Sequence, residues 1–267
     1  MSEDRGHRPH ARVPLYLTGR HECPYFPERQ AQTLFLDPLA PLNGPWYQRL
    51  MDQGFRRSGA HVYRPACPGC GACVSVRIPV QAFRPNRSQR RNLENNRRRV
   101  RVVDRPARFD PAHYGLYERY VRARHPEGSM AQPSPQEYQQ FLLDPWGGET
   151  RLLEFRLERQ ILAIAVTDVL PRGLSAVYTF FDPAHSALGP GTYAILWQIT
   201  QARDSALPYL YLGYWISDCR KMSYKDQYRP IEAWSGRKWL RFDRGEPIDW
   251  GQNVPRQTVP FPCQGQG

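Results

Sequence analysis

Lysine is almost missing from this chain. Of 37 lysines and arginines in 267 residues, only Lys221, Lys225 and Lys238 are lysine. A codon-level preference for arginine accounts for such a bias without any function, yet it singles out the three that remain. Long apolar runs are missing too. The longest aliphatic stretch, "ILAIAV" (Ile161–Val166), falls far short of the roughly 20 residues a membrane helix needs, so no membrane partner is expected. The opening "MSEDRGHRPHARVPL" is polar and lacks the apolar segment of a secretory signal. The expected location is therefore cytoplasmic. Thiols stay reduced there, so six cysteines need not make three disulfides. No internal repeat is found.

Acids are scarce as well: 25 Asp and Glu leave a net charge of +12. That surplus points to a polyanionic partner, most simply nucleic acid; solubility alone is the plainer alternative. With 40% hydrophobic and 12% aromatic residues the chain is globular, and it is long enough for one large or two modest domains.

Its character changes near residue 105. Residues 1–14 read as a loose leader, 15–105 as a Cys/Arg-rich N-terminal domain, 106–243 as a second domain and 244–267 as a tail that holds Cys263. In the first domain "QRLMDQGFRRSGAHVYRP" predicts a helix ending near Gly54, then one extended segment from Phe55 to Arg64. "VSVRIPV" alternates like a strand. In the second, "SPQEYQQFLLDP" carries a complete helix start: Ser134 as cap, Pro135 at the first turn, Glu137 closing the capping box. "RLLEFRL", "ILAIAVTDVL" and "LSAVYTFFDP" predict an antiparallel meander. "LGPGTYAILWQITQAR" predicts a glycine turn into a long helix, and "YLYLGYWI" a buried strand. Meander, glycine turn, helix, strand is the order of an α/β (α+β) GNAT-like acyltransferase domain. There, two adjacent strands splay, and an anionic donor sits at the helix N-terminus, where free N–H groups favour negative charge.

Three stretches carry chemistry. Cys67, Cys70 and Cys73 follow a doubled C-x2-C spacing, with Cys23 as the best fourth ligand and His21 and His61 behind it; zinc and an iron–sulfur cluster both suit such a set. Buried reduced thiols are the alternative. "RSQRR" (Arg87, Ser88, Gln89, Arg90, Arg91) continues into Arg97–Arg99 on one basic helix, suited to phosphate. "YLGYWISDCRKMSYK" ends a strand in a polar turn holding Asp218, Cys219, Lys221, Tyr224 and Lys225.

Together, "ECPYFPERQAQTLFLDP", "GFRRSGAHVYRPACPGCGACVSVRIPV", "FRPNRSQRR", "GTYAILWQI" and "YLGYWISDCRKMSYKDQYRP" resemble the aminoacyl-tRNA–protein transferases, in order, over about residues 13–240. The short chain is most similar to the bacterial aspartate/glutamate leucyltransferase branch. The resemblance implies transfer of leucine from leucyl-tRNA to the N-terminal amine of proteins beginning with Asp or Glu, creating a degradation signal (an N-degron). It also implies N-terminal cysteines linked to a metal or cluster, although only Cys23 stands in the early position where eukaryotic relatives have a pair. On this reading Gly189, Gly191 and Thr192 line the entry of the tRNA end. Tyr178, Tyr211 and Tyr214 flank the ester. Lys221, Tyr224 and Lys225 meet developing charge or the tRNA terminus. Arg77, Arg87 and Arg90 read the acidic side chain, and Asp218 is the candidate general base. Rival readings are arginine as donor, a non-catalytic metal-stabilised RNA-binding module, and an acyltransferase using coenzyme A.

Overall fold

The computed structural model describes residues 13–124 and 132–249. Most of the expected leader, and the tail beyond 249 with Cys263, lie outside these residues. The first stretch forms β1 (Leu15–Leu17), the short pair β2 (His21–Glu22) and β3 (Gln30–Ala31), and β4 (Thr33–Leu36). Helix α1 (Gly44–Asp52) follows, capped by the Asn43 side chain on Trp46 N. Phe55 to Arg64 is not one extended segment. It is a hairpin, β5 (Arg56–Ser58) and β6 (His61–Pro65), in which Arg57 pairs with Val62. A four-stranded sheet results, in the order β1-β4-β6-β5.

Next come β7 (Val74–Pro79), α2 (Arg87–Arg97) and β8 (Val100–Pro106). Asn86 and Gln89 close a capping box at the start of α2. Helix α3 (Pro111–Arg124) and helix α4 (Pro135–Leu142) precede the meander β9 (Glu149–Leu157), β10 (Gln160–Leu170) and β11 (Gly173–Phe181). Ser134 and Glu137 cap α4 as their spacing predicts. A 3-10 turn at Pro183–Leu188 leads into α5 (Pro190–Asp204) and β12 (Tyr209–Trp215). The short α6 (Arg220–Ser223) runs into a 3-10 turn at Tyr224–Gln227, and the hairpin β13 (Ile231–Trp234) and β14 (Trp239–Phe242) ends the described chain.

The large sheet has the order β14-β13-β7-β12-β11-β10-β9-β8. Strand β7, from the first part of the chain, lies in its middle, so the change of composition near residue 105 does not divide two sheets. Strand β10 shows how both faces are covered. Ile164 and Val166 pack with Leu116, Tyr117 and Val121 of α3 and with Tyr138 and Leu142 of α4. Ala163 and Ala165, on the opposite face, pack with Tyr193 and Ala194 of α5. Period-two alternation puts each set on its own side, and small alanines let α5 close on the sheet. Tyr47 and Met51 of α1 join Leu34, Phe55, Trp146 and Tyr211 in another core that binds the small sheet to the large one.

One relationship positions the site. Strands β11 and β12 are parallel and pair only at Gly173–Tyr209, Leu174–Leu210 and Ser175–Tyr211. Beyond these pairs each strand carries a bulge. The β10–β11 register jumps between Val166–Tyr178 and Thr167–Ala176, leaving Val177 as the extra residue. The β12–β7 register jumps between Tyr211–Arg77 and Gly213–Val76, leaving Leu212 as the extra one. A bulge bends its strand and raises the local twist. Two of them, just past the last shared pair, turn the strands apart. Gly213 supplies the backbone for the second, at φ +76°, a conformation that side chains disfavour.

Candidate active site

The gap between β11 and β12 lies at the end of the sheet where α5 begins. Tyr178 follows the bulge of β11. Its ring packs against Phe141 at 5.3 Å and Tyr117 at 6.2 Å, and burial raises its hydroxyl pKa above the ordinary tyrosine value. Tyr120 and Arg124 of α3 and Tyr224 are its electrostatic neighbours. The turn after β12 therefore faces the end of α3 across Tyr178. Sequence reasoning missed Tyr120 and Arg124, because nothing in α3 alone reveals which side meets the cleft.

Lys225 is the buried member of that turn, 5% exposed. Its ammonium donates to the backbone carbonyl of Tyr214, on the part of β12 that β11 has left, and lies 3.3 Å from Met222 Sδ. Burial, reinforced by the Arg56 cation, lowers its pKa to about 7. Tyr224 stands beside it, 40% exposed. Asp218 and Lys221 lie exposed in the same turn. Trp215 Nε1 donates to Ser223 O at 3.2 Å and Gln89 Nε2 to Gln227 O at 3.2 Å, tying the turn to β12 and to α2.

On the other side α2 lies along the start of α5. Asn92 Nδ2 donates to Leu188 O at 2.9 Å and Gly189 O at 3.2 Å; Asn96 Nδ2 donates to Leu188 O at 2.9 Å. Gly189 turns the chain into α5 at φ +63°, and a Cβ there would meet Asn92 Nδ2 at 2.7 Å. Between the two helices runs an open groove of about 770 Å³. Ser88, Arg91, Arg98, Arg99, Gly189 and Thr192 are among its walls. Three arginines thus face a helix N-terminus that no side chain caps. Gly191 lies outside this groove, against Phe181, with its Cβ position 3.6 Å from that ring.

Several expected roles do not fit the places these side chains occupy. Arg77 does not face the cleft as a free cation: its Nε donates to Glu232 at 2.7 Å and its Nη1 to Asp52 at 2.9 Å. The Tyr211 hydroxyl is enclosed by Asp52 at 2.6 Å and Gln48 at 2.8 Å, too occupied to flank an ester. The Tyr214 hydroxyl turns away from the cleft and donates to Gly54 O at 3.0 Å. Gln89 spends its side chain on the α2 cap and on Gln227. Arg90 donates to Pro85 O at 2.8 Å, whereas Arg87, exposed at the start of α2, stays compatible with its expected role.

The cysteines gather without converging. Cys23, Cys67, Cys70 and Cys219 all act electrostatically on Cys73, whose thiol burial and these neighbours push up to about 12. Cys67 Sγ lies 3.4 Å from Gln32 N, and Cys70 Sγ lies 3.7 Å from Arg29 Nη1. Yet among the described residues no three His, Cys, Asp or Glu side chains are arranged to hold an ion.

Comparison with known proteins agrees with the motifs. Residues 21–91 match the family described as "Arginine-tRNA-protein transferase, N terminus", and residues 112–235 match its C terminus. The "Aspartate/glutamate leucyltransferase" of Pseudomonas paraeruginosa is 50% identical over 232 residues, 86% of this chain and 97% of that one. The protein of the same name from Hahella chejuensis is 50% identical over 226 residues, 85% of this chain and 96% of that one. Solved structures show a looser likeness. FemX has a TM-score of 0.45 at 10% identity, over 79% of this chain and 81% of that one. L-PGS from Bacillus licheniformis has a TM-score of 0.47 at 10% identity, over 66% and 62%. Likeness at that level carries no weight here, whereas the sequence relationship does. The chain belongs to the aminoacyl-tRNA–protein transferase family, within the bacterial aspartate/glutamate leucyltransferase branch.

Proposed function

We propose that this transferase moves leucine from leucyl-tRNA to the α-amine of proteins that begin with Asp or Glu, marking them for degradation in the cytoplasm. The observation that carries this reading is the opening of β11 and β12 beyond Ser175–Tyr211, beside an arginine-lined groove at the start of α5. The groove suits the phosphates of a tRNA acceptor end, and the opening suits its aminoacyl ester. The name of the relatives, aspartate/glutamate leucyltransferase, suggests the donor and the acceptor.

The chemistry asks little covalent help. The amino acid is already activated as an ester. A free α-amine has a pKa near ~8, so a useful share is neutral at cellular pH. The amine nitrogen attacks the ester carbonyl, and the tetrahedral centre collapses. The ribose oxygen leaves with the bonding pair and gains a proton, while the new ammonium loses one as the amide forms. Positioning and charge stabilisation supply the rate. Tyr178 and Tyr224 border the carbonyl. Lys225, held close to neutral, is placed to relay the proton from the attacking amine. Asp218 and Lys221, exposed in the turn, are assigned to the tRNA terminus or the acceptor backbone.

The test combines purified protein, leucyl-tRNA and a peptide beginning with Asp. A leucine-sized mass increment on the peptide is the expected result. Product with arginyl-tRNA alone would reassign the donor. tRNA binding without product from either donor would favour the RNA-binding module and overturn the transferase reading of this chain.

A further inference from the structure

The small sheet carries apolar side chains on both faces, and only one face lies in a core. Leu34, Leu36 and Val62 alternate onto the face that meets Tyr47 and Met51 of α1. The residues between them point the other way. Tyr16 on β1 stands opposite Phe35 on β4, Phe35 opposite Tyr63 on β6, and Tyr63 opposite Arg56 on β5. Directly opposed residues of antiparallel strands share a face. Three aromatic rings therefore form a row across the sheet. The Phe35 and Tyr63 rings are 5.9 Å apart, and the His61 ring meets Phe35 at 6.2 Å. The row continues beyond the sheet: the Tyr63 ring lies 6.0 Å from that of Tyr214. It thus reaches the stretch of β12 that β11 has left.

Exposure rises along the row. Tyr214 is 6% exposed, Tyr63 and Phe35 are half-buried, and Tyr16 is 56% exposed. Tyr16, Phe35 and Tyr63 belong to none of the cores formed by the described residues. The open face of an antiparallel sheet is ordinarily polar, and a contiguous apolar strip on it marks a binding surface.

The place of this sheet in the fold says what the strip receives. The arginine-lined groove belongs to α2 and α5, and α5 covers the face of the large sheet that carries Val76 and Leu212. The small sheet and α1 lie on the opposite face, with Tyr211. A tRNA end that follows the groove enters the opening from the α5 face. The attacking amine then comes from the other face, where the row ends at Tyr214. Charge agrees. The groove offers Arg91, Arg98 and Arg99 to phosphate. The solvent end of the row has uncharged rings and an acid, Asp37, whose Oδ2 accepts from the Tyr16 hydroxyl at 3.4 Å.

We propose that this row is the track for the acceptor's N-terminal segment. An extended, unfolded run of about five residues lays apolar side chains on Tyr63, Phe35 and Tyr16 while its first residue reaches the opening at Tyr214. An extended chain advances roughly 3.4 Å per residue and turns alternate side chains to one face. Rings 5.9 and 6.0 Å apart match every second side chain of such a segment. The inference rests on the transferase reading above and adds to it how far into the acceptor the enzyme reads.

The test uses the full chain, leucyl-tRNA and two acceptors. One is the dipeptide amide Asp-Ala; the other is a ten-residue peptide that continues it with leucine at alternate positions. The wild type should favour the longer acceptor by about tenfold or more in kcat/KM. Tyr16→Ser, at an exposed position, should raise KM for the longer peptide by about threefold. Phe35→Ser, checked for folding by circular dichroism, should raise it further. Both should leave the dipeptide and leucyl-tRNA unchanged. Equal kcat/KM for the two acceptors in wild type overturns the proposal, and so does a length preference that survives intact in both variants. A raised KM for leucyl-tRNA with that preference intact would make the row a stacking platform for the tRNA 3′ end instead. Binding separates this inference from transfer itself. The longer peptide, carrying a benzophenone at its fourth residue and photolysed without tRNA, should label β1, β4 or β6. Labelling there upholds the track even where neither donor gives product; labelling elsewhere, or none, refutes it even where transfer proceeds.

Discussion

Arg57 and Asp168 form a two-pronged ion pair, Nε to Oδ2 and Nη2 to Oδ1 at 2.6 Å each, with both side chains fully buried. It runs from the small sheet to β10 of the large one. Thr150 completes it by donating to Asp168 Oδ1 at 2.7 Å, and Trp146 Nε1 donates in turn to Thr150 at 2.9 Å. Removing one partner of a buried pair strands the other, at a cost of about 3–5 kcal/mol. Arg57→Met should therefore lose roughly that much stability in urea unfolding. The double change Arg57→Met with Asp168→Leu should lose markedly less, and equal losses would show that the pair is not the link between the sheets.

The groove between α2 and α5 predicts a salt effect. Arg98→Glu and Arg99→Glu should each weaken tRNA binding and lower the slope of log affinity against log salt by about one. Filter binding across a salt series measures it. A slope equal to that of the wild type would assign these arginines to plain solvated surface.

Gly189 joins the 3-10 turn to α5, and Gly189→Ala sets two effects against the fold. Its positive φ disfavours a side chain by about 1–2 kcal/mol, and the new methyl would meet Asn92. Asn92 then loses its hold on Leu188 and Gly189, and α2 shifts from the start of α5. The expected outcome is a lower Tm together with weaker tRNA binding. A lower Tm with undiminished binding would separate the groove from the tRNA.

Much of this architecture was legible because its signals are local. The α4 capping box, the meander and the glycine entry to α5 all lie within a few residues of the elements they define. The rest depends on distant partners. "VSVRIPV" alternates like a strand, yet Val74 to Ile78 are buried on both faces, because α5 packs over Val74, Val76 and Ile78 and α1 meets Arg77 on the other side. Arg77 is tolerated there only through Asp52 and Glu232, the second of them 155 residues away. Arg57 finds its acid 111 residues away. No window of sequence reveals such pairings. The same distance hid that Arg77, expected with Arg87 and Arg90 to read the acid, is already held by two carboxylates. The hairpin β13–β14 escaped for another reason: "IEAW" and "WLRF" are short, and a charged turn separates them.

Lys225 predicts a pH dependence. Its folded pKa, about 7, lies below the unfolded lysine value of about 10.4. Between these values the unfolded chain binds more protons at this site, so the Lys225 contribution to stability rises with pH through that window and is smallest below pH 7. The slope is bounded by about 1.4 kcal/mol per pH unit. Lys225→Met lacks the term. Its stability relative to wild type should be greatest near pH 7 and fall as pH approaches 10, as read by urea unfolding at both ends. A pH-independent difference would show that Lys225 is charged in the folded state.

Arg77 gives the control that separates structure from selectivity. Its side chain is 8% exposed and bonded to two carboxylates. Arg77→Met leaves Asp52 and Glu232 near one another without their cation, at a cost of about 2–4 kcal/mol. The preference for Asp over Asn peptides should persist in whatever fraction remains folded, because Arg77 is already held by Asp52 and Glu232. Urea unfolding and paired-peptide kinetics measure the two effects separately. If the preference collapsed in folded Arg77→Met, the acid would be read from the β7 side of β12, through Arg77 itself.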